Sequence, residues 1–283
     1  MNAVIRRIAL LLVVISIAGS AACQESASAK QAVRKRRLLF IGQSMDWEHD
    51  SVSYAAGTLW KLGHDSGLWE TYIYTDCRPI TKKALPRNQK NLDYFDAVVF
   101  FTSSELTMDE SQKADLLSFV KEDGKGFMGI HSATDTFYKW PEYGEMIGGY
   151  FDEHPWGRFD APLIVEDPKF PGMENLPAAF TLYDEIYQIK QFSRENVRVL
   201  ARLDEKKLDL TNPKVHRTDG DFPVIWARTY GKGRVLYNGL GHVEAVWDRP
   251  EIQKMFTEQV EWILGVVPGD ATPRARPASA VSH

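Results

Sequence analysis

The sequence predicts an α/β domain in which a mostly parallel sheet carries helices on both faces. Three features predict it. Strand and helix patterns alternate from Leu38 onward, the run Ala97–Phe101 is apolar without a break, and histidines follow strand-like segments where the chain must turn. Leu38–Gly42 is the first strand, residues 51–62 the first helix and Trp69–Tyr74 the second strand. Ala97–Phe101 reads as a strand covered on both faces. The segment Asp109–Val120 follows as a helix, with Leu116, Leu117 and Val120 on its apolar side and Asp109 placed to favour its N-terminus. Gly126–Ile130 is the next strand, and right-handed crossovers then bring His49 and His131 to one edge of the sheet. Prolines 141, 155, 162, 168, 171 and 177 break up the following stretch, so the short strands near 163–166 and 185–189 read as an elaboration covering the sheet. The core resumes at 197–201, 223–229 and 234–240, and 250–264 closes the domain as a helix.

The termini read differently. Arg6 and Arg7 precede the apolar stretch Ile8–Ala18 and the small residues Gly19–Ala22, the pattern of an export signal over residues 1–22. Its apolar core is shorter than the roughly 20 residues a spanning helix needs. The protein is therefore expected in the periplasm or the cell envelope, with a lipid anchor at Cys23 as its only tie to a membrane; Ala27-Ser28-Ala29 offers ordinary cleavage instead. Residues 23–37 form a tether, 38–265 the domain, and 266–283, rich in Pro, Ala, Arg and Ser, a disordered tail. Cys23 and Cys77 are the only cysteines, so loss or lipidation of the first leaves no internal disulfide. Losing the signal moves the formal charge from -4 to -6, which disfavours nucleic acid as a partner. No G-x-G-x-x-G follows the first strand, so no nucleotide cofactor is expected, and Gly231-Lys232-Gly233 leads into a strand as a hairpin turn. No heptad pattern marks an oligomer interface, and the oligomeric state stays open.

The motifs EHDSV (48–52), GIHSATDTFYKWPEYG (129–144), GGYFDEHPW (148–156), YDEIY (183–187), PVIW (223–226) and GKGRVLYNGLGH (231–242) occur in this order. Together they resemble the ThuA-like family, of the trehalose-utilisation type, over about residues 38–264. The resemblance implies a flavodoxin-like three-layer fold similar to class I glutamine amidotransferases, in which a sharp strand-to-helix turn presents a functional residue. Amidotransferases carry a cysteine there, whereas this sequence has His131, and Cys77 has no local base to form a thiolate. Glutamine hydrolysis is thus not expected. A serine hydrolase is not expected either, because GIHSAT around Ser132 lacks the G-x-S-x-G elbow. The resemblance further implies carbohydrate metabolism, with a small sugar or glycoside as partner: a lyase, hydratase or hydrolase acting on 3-keto-glycosides. A ketone at carbon 3 acidifies the neighbouring C–H bond, so cleavage needs a base and a stabiliser for the enediolate.

For that chemistry His131 is the candidate base and Glu185 the assisting acid or base. Asp184 and Glu185 point to opposite faces of a strand, so only Glu185 is assigned to the pocket. Asp135, four residues past His131, either orients its imidazole or simply charges a helix start. His49, His131, His154 and His242 are candidate metal ligands with Glu185, a donor set suited to a divalent transition metal such as Zn, Mn or Fe. Each histidine equally fits a hydrogen-bonding role, and His49 a helix cap. Trp140, Tyr143, Tyr187 and Trp247 are candidate sugar-stacking walls, although Trp and Tyr in a domain of this size are commonly core. The rival reading is a carbohydrate-binding domain that uses the same cleft without turnover. The number of titratable groups at strand ends favours catalysis. His64 and His216 read as surface residues.

Overall fold

The structure is a computed structural model that describes residues 34–276; the export signal and most of the tether lie outside the described residues. Five neighbouring strands run parallel in its main sheet. They are β1 (Arg36–Ile41), β2 (Trp69–Tyr74), β3 (Ala97–Phe100), β4 (Gly126–Ile130) and β11 (Gly233–Asn238). Alternation along β1 shows how the sheet is covered. Leu38 and Phe40 pack under α1 (Ser51–Ser66) and α4 (Pro250–Ile263), whereas Leu39 and Ile41 pack under α2 (Glu110–Lys121) and α3 (Pro141–Ile147). Helices thus flank both faces, as the unbroken apolar strands require.

Local chemistry sets the helix ends. Asp109 and Gln112 close a capping box on α2. Pro141 and Pro250 open α3 and α4 at positions whose N–H would have no helical partner. Gly67 ends α1 in the left-handed region, its N–H on Gly63 O.

The proline-broken stretch does not cover the sheet; it extends it. Strands β6 (Arg158–Val165), β7 (Ala179–Glu185), β9 (Arg198–Leu203) and β10 (Pro223–Tyr230) join in antiparallel register, giving a nine-stranded sheet of order β2-β1-β3-β4-β11-β10-β9-β6-β7. Pro162 is tolerated inside β6 because pairing with β9 begins one residue later, at Leu163↔Leu203. β5 (Tyr150–Glu153) and β8 (Gln188–Lys190) pair separately in a small second sheet. β10 turns back into β11 at Gly231-Lys232, the expected hairpin.

The disordered tail expected from residue 266 is not what residues 266–276 form. Ala271 is buried, Arg198 Nη1 bonds Asp270 at 3.0 Å, and Arg276 bonds Glu205 at 2.7 Å and the carbonyl of Gly220 at 3.0 Å. Residues 277–283 lie outside the described residues. The arginines that make the segment look solvated are what attach it. Among the described residues no helix is long and apolar enough to cross a membrane.

A Cβ at Gly126 would overlap the carbonyl oxygen of Ile263 at the end of α4, whereas one at the exposed Gly57 in α1 meets nothing. Gly126→Ala is expected to lower the free energy of unfolding by about 1–3 kcal/mol. Gly57→Ala is expected to raise it by up to ~1 kcal/mol. Urea denaturation of the two variants beside the wild type checks both signs.

Candidate metal and substrate site

Strand direction decides which residues share an edge. β4, β11 and β7 all end on the edge where β1 ends, and β6, running the other way, starts there. His49 after β1, His131 after β4, Glu185 at the end of β7, Arg158 at the start of β6 and His242 after β11 therefore gather at one end of the sheet.

His131 sits on the sharp turn between β4 and a 3₁₀ turn, His131–Thr134, with a φ of 41°, a conformation that costs a side-chain-bearing residue on the order of 1 kcal/mol. Just before it, Gly129 lets Ile147 of α3 pack closely on β4, because a Cβ there would stand 2.6 Å from Ile147 Cδ1. The His131 side chain is fully buried, and its Nδ1 lies 3.2 Å from the carbonyl oxygen of Gly239. A carbonyl only accepts, so Nδ1 carries the proton and Nε2 is left as a bare lone pair. That lone pair faces His242 Nδ1 at 3.1 Å and Glu185 Oε2 at 3.7 Å.

His242 is carried on a loop fixed by Asp184, whose two carboxylate oxygens accept the N–H groups of Gly241 at 2.7 Å and Val243 at 3.0 Å. Burial raises the Asp184 pKa, against the opposing effects of His131 and these backbone donors. Both acids of the pair are therefore used: Asp184 holds the loop, and Glu185 faces the site with Oε2 3.1 Å from His242 Nδ1. On its far side His242 Nε2 accepts from Arg158 Nε at 2.9 Å.

His49 completes the group. Its ring centroid is 5.0 Å from that of His131 and 5.1 Å from that of His242, and those two are 5.0 Å apart. Its Nε2 lies 3.3 Å from the Tyr187 hydroxyl, and its buried Nδ1 has no hydrogen-bond partner. One donor atom from each of His49, His131, Glu185 and His242 lies within 4.8 Å of the others, so these four side chains can hold a metal ion. The protonation states suit one. Burial, with the neighbouring His131 and His242, holds the His49 pKa down to about 3, so its imidazole is neutral at pH 7. Burial pushes Glu185 up, but the neighbouring His131 and His242 outweigh it and keep the carboxylate ionised below its usual range. The orphaned Nδ1, three imidazoles and one carboxylate fit a divalent transition metal.

Beside this cluster opens a cavity of about 410 Å³ lined by His49, Glu185 and His242 together with Asp135, Arg158, Tyr187 and the aromatics Trp47 and Phe151. Several expected assignments change. His131 does not line the cavity, which removes it as a base that touches a substrate. Asp135 lines the cavity but does not orient His131, whose Nδ1 is taken by Gly239; it accepts from Tyr138 Oη at 2.6 Å, and burial raises its pKa. His154 stands on the rim, its side chain 40% exposed and 3.5 Å from Glu153, outside the four-donor cluster. Tyr187 lines the cavity. Trp140 and Tyr143 do not: they stack on each other in the core, with Tyr143 Oη donating to Ala133 O at 2.7 Å. Trp247 is no wall either, since its indole lies against Gly241 and donates to that carbonyl at 3.0 Å, bracing the His242 loop. His49 does not cap α1 with its side chain.

Arg158, Trp47 and Phe151 were not singled out by sequence. Trp47, two residues before His49 and 66% exposed, was legible in retrospect as an apolar ring with no core to enter. His64, stacked on Trp60, and His216, on Asp152, are surface residues as expected.

A family model described as ThuA, trehalose utilisation, matches residues 37–263. The chain belongs to the ThuA family. Among solved structures, a ThuA-like protein from Bacteroides uniformis is 22% identical with a TM-score of 0.66, the match covering 84% of this chain and 94% of that one. A second, from Parabacteroides merdae, is 18% identical with a TM-score of 0.62 over 85% and 98%. No curated protein matches the chain. The ThuA match is consistent with the class I glutamine amidotransferase-like fold that the motifs imply, and His131 stands on the sharp turn after β4. Cys77 does not replace it: the thiol is buried against Gln43 Oε1 at 3.3 Å, and burial pushes its pKa up to about 12. Ser132 is buried outside the cavity.

Two outcomes follow from these states. Native protein at pH 8 should leave Cys77 unmodified by iodoacetamide, and denatured protein should be alkylated there, as read by mass spectrometry of its peptide. His49, neutral when folded down to about pH 3, takes up a proton in the unfolded chain below its ordinary value of 6.5. Acidification therefore costs up to ~1.4 kcal/mol per pH unit from this group alone. Glu185, depressed when folded, loses its contribution as pH falls below its ordinary 4.5, in the same direction. The urea midpoint of metal-free protein should fall from pH 7 to pH 4.5, and fall less in His49→Gln.

Proposed function

We propose that this protein is an enzyme acting on 3-keto-glycosides or related oxidised sugars, and that His49, His131, His242 and Glu185 hold a divalent transition metal, Zn, Mn or Fe, at its centre. The observation that carries the reading is the convergence of three histidines and one carboxylate on a single point beside a cavity. Its size falls in the roughly 300–1,000 Å³ range of small-molecule sites. The family's description, trehalose utilisation, supports a carbohydrate as the ligand class.

The bound metal would polarise the ketone and the adjacent hydroxyl oxygen. Asp135 is the base: it lines the cavity, burial raises its pKa above that of an ordinary carboxyl and so strengthens it as a base, and the Tyr138 hydroxyl on Oδ1 leaves Oδ2 to take the proton from the carbon beside the ketone. The electron pair released there expels the glycosidic oxygen from the neighbouring carbon. His154 on the rim supplies the proton that the leaving oxygen needs. Addition of water to the resulting double bond completes hydrolysis. Trp47, Phe151 and Tyr187 offer ring faces to the apolar side of the sugar.

Mass spectrometry of the gently desalted native protein should find about one transition-metal ion per chain, lost in His131→Ala and His242→Ala. Asp135→Asn should keep the metal and lose turnover of a 3-keto-glucoside by about 10²- to 10⁴-fold. Sugar binding without metal, after reloading with Zn, Mn or Fe, and without turnover would replace this reading with a non-catalytic carbohydrate-binding domain.

A further inference from the structure

Arg158 opens β6 directly opposite Glu185 in β7, yet its guanidinium reaches past that carboxylate to His242. Its Nε–H donates to His242 Nε2 at 2.9 Å. Because an arginine cannot accept, His242 must present a lone pair at Nε2 and carry its proton at Nδ1. Nδ1 is the atom turned toward Glu185 and His131, each 3.1 Å away. It is therefore also the atom that His242 would offer to a metal. A neutral imidazole that gives its Nδ1 lone pair to a metal carries its proton on Nε2. Two N–H groups then face each other at 2.9 Å with no acceptor between them, and the arrangement with Arg158 cannot persist.

Where the guanidinium goes follows from its surroundings. Arg158 is exposed, lines the cavity, and has no partner for Nη1 or Nη2 among the described residues. The carboxylates that line the cavity with it are Glu185, held by the histidines, and Asp135, held by Tyr138. A freed guanidinium presents a planar fork of donors matched to a carboxylate.

We infer, on the reading of the cluster as a metal site, that Arg158 is a latch coupling metal and ligand: bound to His242 while the metal is away, and released into the cavity by the metal to grip the carboxylate of a sugar acid. Such coupling is reciprocal, so each ligand tightens the other by the same factor.

The test uses Zn²⁺ and gluconate as probes on the full chain, with wild type, Arg158→Ala and Arg158→Lys. Zn²⁺ affinity is read by competition with a chelating dye, and gluconate affinity by calorimetry with and without Zn²⁺. Zn²⁺ should bind Arg158→Ala more tightly than wild type, because no donor then occupies His242 Nε2. Wild type should bind gluconate at least about 5-fold more tightly with Zn²⁺ than without, and Arg158→Ala should show a smaller gain. Nitrogen NMR of the histidines gives an independent reading, with His242 Nε2 passing from bare to protonated on adding Zn²⁺. Arg158→Lys, which keeps the charge but not the fork, should lose the gluconate gain as alanine does. Equal Zn²⁺ affinities with equal gluconate gains in all three proteins would overturn the latch and leave the metal reading standing. Failure of Zn²⁺ to bind any of them would remove the metal reading and the latch with it.

Discussion

The arrangement of the site depends on the curl of the sheet. Five inter-strand steps separate β4 from β7, a span of roughly 24 Å in a flat sheet at ~4.8 Å per step, yet Glu185 Oε2 from β7 stands 3.7 Å from His131 Nε2 at the end of β4. Side chains alone cannot cover that difference. The antiparallel half must bend back over the edge of the parallel half, and the register shifts between β9 and β10 at Pro223, Ile225 and Trp226 are where extra residues allow it. Without that bend the three histidines would stand at an open sheet edge with no carboxylate among them.

Once the bend is made, a small number of hydrogen bonds fix the chemistry. The Gly239 carbonyl sets the tautomer of His131 from behind, and Asp184 fixes the loop of His242 through two backbone donors. Trp247 packs the same loop from the other side. The side chains of the cluster are thus oriented by groups that stand outside it.

Much of the fold was legible in the sequence where the physics is local. Trp69–Tyr74 and Gly126–Ile130 form strands with the expected bounds, and α2 begins beside Asp109, because apolar runs and caps act within a few residues. The antiparallel extension was misread because its prolines and short strands resemble a covering loop, and only long-range pairing reveals that they continue the sheet. At the site, position after a strand found His49, His131 and His242, and strand alternation found Glu185. The aromatic assignments failed for Trp140, Tyr143 and Trp247 because their large apolar area is worth more inside the domain than on a pocket wall. Arg158 was missed because an arginine at the exposed start of a strand has no local signature; its meaning comes from a histidine 84 positions away.

The division of the site between the two halves of the sheet bears on how it is assembled. His49 and His131 belong to segments that can pair soon after they are made, since each neighbours a strand close to it in the chain. Glu185 and Arg158 arrive only when β9 and β10 have bridged the gap to β11. These are contacts of large sequence separation, whose loop-closure entropy must be met before they contribute stability. The complete cluster is therefore a property of the finished topology, because the carboxylate joins the imidazoles only through pairings of large sequence separation.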